Sequence, residues 1–292
     1  MNLSDQEFKD IRLVVLRLSG IWLGEDKQYL IRSRLEPILR LNKLSSYAEL
    51  VLRSAGIAGL ALQEEIIEAI TTKETSFNRD GHPFDEFRRT LLPELIRNKF
   101  DRQRSIGLPF GKLRIWSAAS STGNEAYSLA MTILEYIETQ PQNGLNPIRL
   151  TADSFQILAS DISEQALQKA REGSYYEWEL DRGLSNEWKL KYFEKSDSHF
   201  TIQPTIRAMV EFKRINLIKP FADINGFDLV LCRNLLIYFD QNTRREIVDK
   251  LVNSLTQGGI LMLGASESLT VLPKGLVQSQ VGRTVVYRKT GT

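Results

Sequence analysis

The sequence has one cysteine, two histidines and no long apolar run. The lone Cys232 cannot form an internal disulfide, and this is typical of a protein of the reducing cytoplasm. His82 and His199 are far apart and lack metal-ligand spacing, and there is no Ser/His/Asp set or zinc motif. No segment approaches the roughly 18 apolar residues of a membrane span, and the acidic first turn is unlike a signal peptide. We therefore expect a cytoplasmic protein that binds no metal and reaches a membrane only through a partner.

A strong excess of one charge is also absent. The 38 Lys and Arg residues nearly balance the 36 Asp and Glu residues, which leaves a net charge of +2. Proteins that bind nucleic acids in general usually have a marked basic excess, so nucleic acid is not expected as a partner. Apolar residues make up 42% of the 292 residues, which is enough for one large domain or two smaller ones.

The first hundred residues have helical signals. Residues 4–7 form a capping box ahead of apolar residues at helical spacing, and Gly20 ends that helix. A second helix spans about 26–42, with a kink or break expected at Pro37. The sequence therefore predicts an N-terminal helical domain (1–100) and a polar linker (101–112).

Strands and helices alternate after the linker, which predicts a doubly wound α/β sheet in a domain over 113–292. The predicted strands are 113–116, 155–160, 227–232 and 259–263, and the predicted helices are 123–139, 163–171 and 241–255. Residues 277–281 and 284–288 are expected to pair as antiparallel strands. Residues 174–212 break the alternation and are interpreted as an insertion.

Small residues fill the predicted strand-to-helix turn at 117–125. Such a turn lets a ligand approach the backbone and the free N–H groups of a helix N-terminus. The turn lacks the G-x-G-x-x-G spacing of dinucleotide-binding proteins, so a nicotinamide enzyme is not expected. Tight packing of strand and helix is the alternative explanation of the small residues.

Further polar residues follow the predicted strands at their carboxyl ends, where α/β proteins bind ligands. Asp161 is placed to accept hydrogen bonds from two ribose hydroxyls, or simply to cap the next helix. Arg233 and Asn234, with Tyr238 shortly after, suit an anionic group; a solvated Arg, a capping Asn and a core Tyr are the alternative. The polar segment 71–79 lies between two helices and is either a ligand loop or an ordinary one.

Five segments together carry a specific combination of motifs. They are ITTKETSFNRD (70–80), RIWSAASSTGNEAYSLAM (114–131), ILASDIS (157–163), FDLVLCRNLLIYFD (227–240) and GGILMLGASESL (258–269). Through them the chain resembles the CheR-type chemotaxis receptor (protein-glutamate) O-methyltransferases over nearly its whole length. The resemblance implies a helical domain packed on a Rossmann-like S-adenosylmethionine-binding α/β domain, with 174–212 as a small inserted β-subdomain.

The resemblance also implies the residues of the site. The positions that correspond to cofactor-binding residues are Lys73, Thr75, Arg79, Ala118, Glu125, Asp161, Asn216, Leu217, Asn234 and Leu235. Among them, Thr75, Arg79 and Glu125 correspond to the contacts of the cofactor's amino-acid end. Asp161 corresponds to the ribose contact, and Asn216 with Leu217 to the adenine neighbourhood. The residues expected to line the methyl-transfer site are Arg79, Arg233 and Tyr238.

The activity implied by the resemblance is methyl transfer from S-adenosylmethionine to glutamate side chains of chemotaxis receptors, with S-adenosylhomocysteine as product. A glutamate carboxylate, with a pKa of about 4.3, is already ionised near neutral pH, so no general base is needed. The site must instead hold an oxygen in line with the methyl group. We expect Arg79 or Arg233 to orient the carboxylate and Tyr238 to supply a hydroxyl.

Some positions depart from the family pattern. Lys73 and Asn78 stand where the family usually has Asn and Phe, and Asn124 and Ala126 flank the retained Glu125. Lys73 puts one contact to the cofactor or the substrate in doubt. The alternative is that its ammonium group pairs with the carboxylate of the cofactor. Two other functions stay open: a cofactor-binding regulator that has lost catalysis, and a methyltransferase that acts on RNA or a small molecule.

A basic segment is the candidate partner surface. The segment from Lys27 to Arg53 contains six basic residues and two acidic ones. Such a surface on the predicted helix 27–43 would attract the acidic helices in the cytoplasmic part of a receptor; a solvated helix face is the alternative. We expect the chain to act as a monomer.

Overall fold

The computed structural model describes residues 2–140, 149–221 and 223–291. The helices are α1 (Asp5–Ser19), α2 (Gln28–Leu41), α3 (Tyr47–Arg53), α4 (Leu60–Ile70), α5 (His82–Glu86), α6 (Leu92–Ser105), α7 (Asn124–Thr139), α8 (Glu164–Glu172), α9 (Glu177–Asp181), α10 (Asn186–Tyr192), α11 (Pro204–Arg207) and α12 (Gln241–Ser254). The strands are β1 (Leu113–Ala118), β2 (Phe155–Asp161), β3 (Ser174–Tyr176), β4 (Phe193–Ser196), β5 (His199–Ile202), β6 (Val210–Arg214), β7 (Phe227–Cys232), β8 (Leu255–Leu263), β9 (Leu276–Val281) and β10 (Thr284–Lys289). Within the described residues, none of the helices has the length and apolar character needed to cross a membrane.

The N-terminal helices form a separate apolar core. It contains buried side chains from Leu3 to Ile70, whereas Phe77 and later residues pack against the sheet. The capping box of Ser4 and Glu7 starts α1, and Gly20 ends it in a left-handed conformation with φ 76°, as expected. The helix α2 runs through Pro37 without a break.

The boundary between the helical domain and the α/β domain stays a prediction. The secondary structure of the predicted linker, 101–112, differs from what the sequence suggested. The helix α6 continues to Ser105, so residues 101–105 of the predicted linker are helical. Its apolar side chains, such as Leu95 and Ile96, belong to the core that covers the sheet. The segment 82–105 therefore packs with the α/β part of the chain.

A seven-stranded sheet carries that part, in the order β6-β2-β1-β7-β8-β10-β9. The strands β6, β2, β1, β7 and β8 are parallel, and β10 is antiparallel to both β8 and β9. Neighbouring residues of one strand point to opposite faces of the sheet. Each face is covered by an apolar core of its own. All six residues of β7 are buried, as expected of a central parallel strand. The predicted fold class, a helical domain plus a Rossmann-like α/β domain, is confirmed.

The predicted insertion contains a second, three-stranded sheet in the order β3-β5-β4. It spans Ser174 to Ile202, and β6 then returns to the edge of the main sheet beside β2. The small sheet contacts the segment before α5, because Phe77 packs edge-on against Tyr175 and Phe193 at 5.1 and 5.7 Å between ring centroids. The insertion thus supports one side of the polar loop at 71–81.

Candidate active site

The strand order reverses between β1 and β7, and a crevice forms at such a point. Ala118 of β1 pairs with Cys232 of β7, which in turn pairs with Leu263 of β8, so these strands end at one level. A cavity of about 250 Å³ lies above this edge. Its walls come from the loops after β1, β2, β6 and β7, from residues 71–79 and from the end of α1.

The turn after β1 approaches the cavity closely. Ala119, Ser121 and Gly123 have positive φ angles of 62°, 50° and 86°. A side chain at Gly123 would place its Cβ 2.9 Å from Cβ of Ala170, so glycine is needed there. The turn brings the N-terminus of α7 to the cavity, with its free N–H groups and the side chain of Glu125.

Asp161, the last residue of β2, lies at the cavity wall. One carboxylate oxygen accepts a hydrogen bond from Ser121 N at 2.8 Å, and the other accepts one from Ser163 N at 2.9 Å. Burial raises the pKa of Asp161, although these backbone N–H groups lower it. Asp161 therefore binds the turn before α8, and each oxygen keeps a further acceptor position for a ligand.

Glu125 is linked to Arg233 by a buried ion pair. Glu125 Oε1 accepts a hydrogen bond from Ser117 at 2.7 Å, and Oε2 lies 3.0 Å from Arg233 Nη1. Arg233 Nη2 contacts a carboxylate oxygen of Asp80 and the carbonyl oxygen of Arg79, both at 2.8 Å. The side chain of Arg233 is only 1% exposed. Both terminal nitrogens are thus used within the protein, whereas Nε is buried and has no hydrogen-bond partner among the described residues.

The loop 71–81 is held on three sides. Arg34 of α2 donates to the carbonyl oxygens of Ala69 and Thr71, both at 3.0 Å. Ser121 Oγ donates to the carbonyl oxygen of Lys73, and the backbone N–H of Asn78 donates to Ser128 Oγ. These bonds place Thr75 and Arg79 at the cavity. Arg79 is half-buried, with one hydrogen bond from Nη1 to the carbonyl of Glu74 at 3.2 Å.

One wall of the cavity is apolar. Ile162, Ile215, Leu217 and Ile218 contribute to it. Asn216 lies among them, but its amide is used internally: Nδ2 donates to Leu18 O at 2.8 Å, and Oδ1 accepts from Ile218 N at 3.2 Å. The wall suits a flat apolar ring, and the side chain of Asn216 fixes its shape.

The segment 233–239 forms another part of the cavity wall. Asn234 has a left-handed backbone with φ 57°, and a 3₁₀ turn from Leu236 to Tyr238 follows. Asn234 Oδ1 is buried and has no hydrogen-bond partner among the described residues. A buried unpaired acceptor is costly, so this oxygen marks a position where a ligand donor would be stabilised.

Ten of the twelve predicted site residues line the cavity. They are Thr75, Arg79, Glu125, Asp161, Asn216, Leu217, Arg233, Asn234, Leu235 and Tyr238.

The other two predicted residues, Lys73 and Ala118, are not brought to the cavity. Lys73 Nζ lies 2.8 Å from Glu68 of α4 and 3.0 Å from Gln165 of α8, so it does not reach a carboxylate bound in the cavity. Ala118 is buried in the core at the end of β1, and Ala119 lines the cavity instead.

Sequence reasoning missed contributions from the N-terminal helices. Ser19 and Ile21, at the end of α1, line the cavity beside the apolar wall. The N–H of Trp22 also donates to the carbonyl oxygen of Tyr238 at 2.8 Å. Gly20 marks the end of α1 in the sequence, but nothing in the sequence indicates that this end meets the sheet.

The chain is similar to known proteins over nearly its whole length. Residues 73–284 match the family model described as "CheR methyltransferase, SAM binding domain", and residues 6–54 match "CheR methyltransferase, all-alpha domain". The chain is 36% identical to chemotaxis protein methyltransferase Cher2 of Pseudomonas putida over 289 residues, which cover 99% of both chains. It is 38% identical to chemotaxis protein methyltransferase 1 of Pseudomonas aeruginosa over 289 residues, with 99% of each chain covered. Chemotaxis protein methyltransferase 1 of Vibrio cholerae is 37% identical, with 99% of this chain and 98% of the relative covered.

Proposed function

The chain belongs to the CheR methyltransferase family, and we propose that it transfers the methyl group of S-adenosylmethionine to glutamate side chains of chemotaxis receptors. The products are glutamate methyl esters and S-adenosylhomocysteine. The observation that carries the proposal is that the segments forming most of the cavity lie within 73–284, the part that matches the SAM-binding domain. The identity to chemotaxis protein methyltransferases over nearly the full length supports the receptor as substrate.

The residues of the cavity fit S-adenosylmethionine. The unpaired Asn234 Oδ1 offers an acceptor, and Asp161 keeps acceptor positions on both carboxylate oxygens. The apolar wall at Ile215 and Leu217 suits an adenine ring. When bound, S-adenosylmethionine supplies an electrophilic methyl group on a sulfonium.

Each part of the cavity has a proposed role in binding the cofactor. Asp161 accepts hydrogen bonds from the ribose hydroxyls, and Leu217 packs on the adenine. Glu125 and Thr75 lie near the amino-acid end. Arg233 is a positioning residue in this proposal, because its guanidinium already holds Glu125 and the loop at Arg79 and Asp80 together.

Two of the predicted catalytic residues remain for the receptor glutamate. Arg79 lines the cavity half-buried, and its guanidinium makes one hydrogen bond, to a carbonyl oxygen. It orients the incoming carboxylate, and Tyr238, which also lines the cavity, contributes its hydroxyl. The carboxylate is ionised near neutral pH, so the site works by alignment rather than by proton removal. A very strong contact to Arg79 would stabilise the ground state and slow the reaction.

The receptor docks on the basic helix 27–43 in this proposal, on the cytoplasmic side of the membrane, and the chain acts as a monomer. Arg34 is taken up by the carbonyl oxygens of Ala69 and Thr71, so it is not part of the surface. Arg32 and Lys43 are exposed, and Arg40 is exposed beside its helical partner Glu36. These three cations are the candidates for attracting an acidic receptor helix.

Base-labile labelling tests the function. The chain is incubated with tritiated S-adenosylmethionine and a receptor cytoplasmic fragment, and volatile methanol is measured after base treatment. Label that depends on the fragment, and is lost when its acceptor glutamates are replaced by alanine, supports the proposal. Cofactor binding without ester formation would favour a regulator, and label on RNA would favour a different substrate.

A further inference from the structure

The carboxylate of Glu267 binds the backbone of the active-site segment 233–239. Glu267 follows β8, the neighbour of β7 in the sheet. Its Oε2 accepts hydrogen bonds from Asn234 N at 2.6 Å and Gly264 N at 2.8 Å, and its Oε1 accepts one from Leu236 N at 2.7 Å. One carboxylate therefore holds three backbone N–H groups at the carboxyl ends of two adjacent strands.

These bonds fix the part of the segment that faces the cavity. Asn234 adopts a left-handed conformation that non-glycine residues adopt only at a cost, and the bond from its N–H helps to hold it. Leu236 begins the 3₁₀ turn that ends at Tyr238. The two bonds thus set where the unpaired Asn234 Oδ1 and the side chain of Tyr238 lie.

Gly264 provides a second, independent observation. A Cβ at this position would lie 2.6 Å from Glu267 Oε2 and 2.8 Å from Asn234 N. Both distances are shorter than real Cβ contacts, so the close approach of Glu267 and Asn234 requires glycine here. Because Gly264 has no side chain, the space at the end of β8 is available to the carboxylate of Glu267.

We propose that Glu267 is a positioning residue for methyl transfer: it contacts neither substrate, but it holds Asn234 and Tyr238 in their reactive arrangement. This rests on the proposed function of the same cavity. Glutamine is not an adequate replacement, because its one carbonyl oxygen accepts while its amide nitrogen donates toward an N–H group. An ionised carboxylate accepts at both oxygens.

Glu267→Gln tests the proposal, with initial rates of ester formation and calorimetry with S-adenosylhomocysteine. We expect kcat to fall by about tenfold to a hundredfold, the loss typical of one charge-assisted hydrogen bond. The KM for the receptor fragment should stay the same, since docking lies elsewhere. Gly264→Ala displaces the same carboxylate, so it should give the same split between kcat and KM.

Asp228→Asn is the matched control. Asp228 also accepts a hydrogen bond from a backbone N–H, that of Arg114 at 2.9 Å, and it pairs with Lys99 and Arg102, but it lies at the opposite end of β7. The variant Asp228→Asn should lower the melting temperature and leave kcat and the Kd of S-adenosylhomocysteine unchanged. A wild-type kcat in folded Glu267→Gln or in Gly264→Ala would overturn the proposal, and so would an equal loss of kcat in Asp228→Asn. Failure of the proposed function is distinguishable, because then the wild-type chain itself would form no ester.

Discussion

Arg233 Nη1 lies 3.0 Å from Glu125 Oε2, and this buried pair joins the end of β7 to the first turn of α7. The other terminal nitrogen of Arg233 binds Asp80 and the carbonyl oxygen of Arg79. One guanidinium thus connects three segments that line the cavity. The ammonium group of a lysine cannot reproduce these contacts, because it is a compact charge on a flexible chain, whereas a guanidinium presents its donors in a fixed planar arrangement.

We therefore expect Arg233→Lys to loosen the site and Arg79→Ala to affect turnover alone. Arg233→Lys should lower the free energy of unfolding by about 1–3 kcal/mol, as for a lost charge-assisted hydrogen bond, and weaken S-adenosylhomocysteine binding about tenfold. Arg79 is half-buried and makes one side-chain hydrogen bond among the described residues, so Arg79→Ala should lower kcat with little change in stability. Denaturation and calorimetry on both variants measure this. Unchanged turnover in Arg79→Ala would remove Arg79 from the mechanism.

Gly20 links the helical domain to the cavity, and its substitution should weaken cofactor binding. A Cβ at Gly20 would lie 2.5 Å from Ile218 Cγ2 and 3.2 Å from the ring of Phe239, and both residues line the cavity. The control is Gly107→Ala, because Gly107 follows the end of α6 with a similar φ of 71° but has no atom within 4 Å of the added Cβ. Both variants should lose about 1–2 kcal/mol of stability from backbone strain. Only Gly20→Ala should also raise the Kd of S-adenosylhomocysteine; equal Kd values in the two variants would contradict this.

Cofactor affinity should fall at acidic pH through Asp161. Burial raises its pKa, so it takes up a proton at a higher pH than an ordinary aspartate, whose pKa is about 3.9. A protonated carboxyl no longer accepts freely at both oxygens, so the Kd of S-adenosylhomocysteine should rise as the pH is lowered through the raised pKa of Asp161. Asp161→Asn should bind more weakly at pH 8 and lose this dependence. The same pH slope in Asp161→Asn and wild type would assign the effect to another group.

The sign of the stability effect follows from the same shift. The folded state holds the proton of Asp161 more tightly than the unfolded chain does. The contribution of this group to stability is therefore fully present below a pH of about 3.9, and it is lost as the pH rises through the raised folded value.

Receptor docking should depend on charge at α2 and at Lys43, which follows the end of that helix. The double variant Arg32→Glu, Lys43→Glu should raise the KM for the receptor fragment, and the difference from wild type should shrink at high salt, because screening weakens exposed charges. The kcat should stay the same. Lys112→Glu is the control, since Lys112 is exposed just before β1, at the end of the sheet opposite the cavity. A KM that does not respond to the double variant, or to salt, would exclude this surface.

The sequence predicted the parts of the site that depend on local pattern. Asp161 and Arg233 follow apolar strands, and parallel strands end at one edge, so their meeting could be expected from the pattern. The motifs of the family located Glu125 and Asn234 in the same way. The helical cap of Ser4 and the end of α1 at Gly20 are equally local.

The sequence could not predict which site residues would contact residues of distant segments. Lys73 is paired with Glu68, and Ser19 meets the apolar wall, because α4 and the end of α1 contact the loops after β2 and β6. Arg233 was expected to bind the substrate, but the structure surrounds it with Glu125 and Asp80. A sequence shows that a charged residue is present, whereas its partners depend on the packing of distant segments.

A crystal structure of the chain soaked with S-adenosylhomocysteine tests the central claim most directly. The ligand should lie over the carboxyl ends of β1, β2 and β7, with its ribose hydroxyls on Asp161 and its adenine against Leu217. Asn234 Oδ1 should gain a hydrogen-bond donor, and Arg79 should border the sulfur. Density for the ligand elsewhere, or a vacant crevice with Asp161 and Asn234 turned away at saturating ligand, would contradict the account.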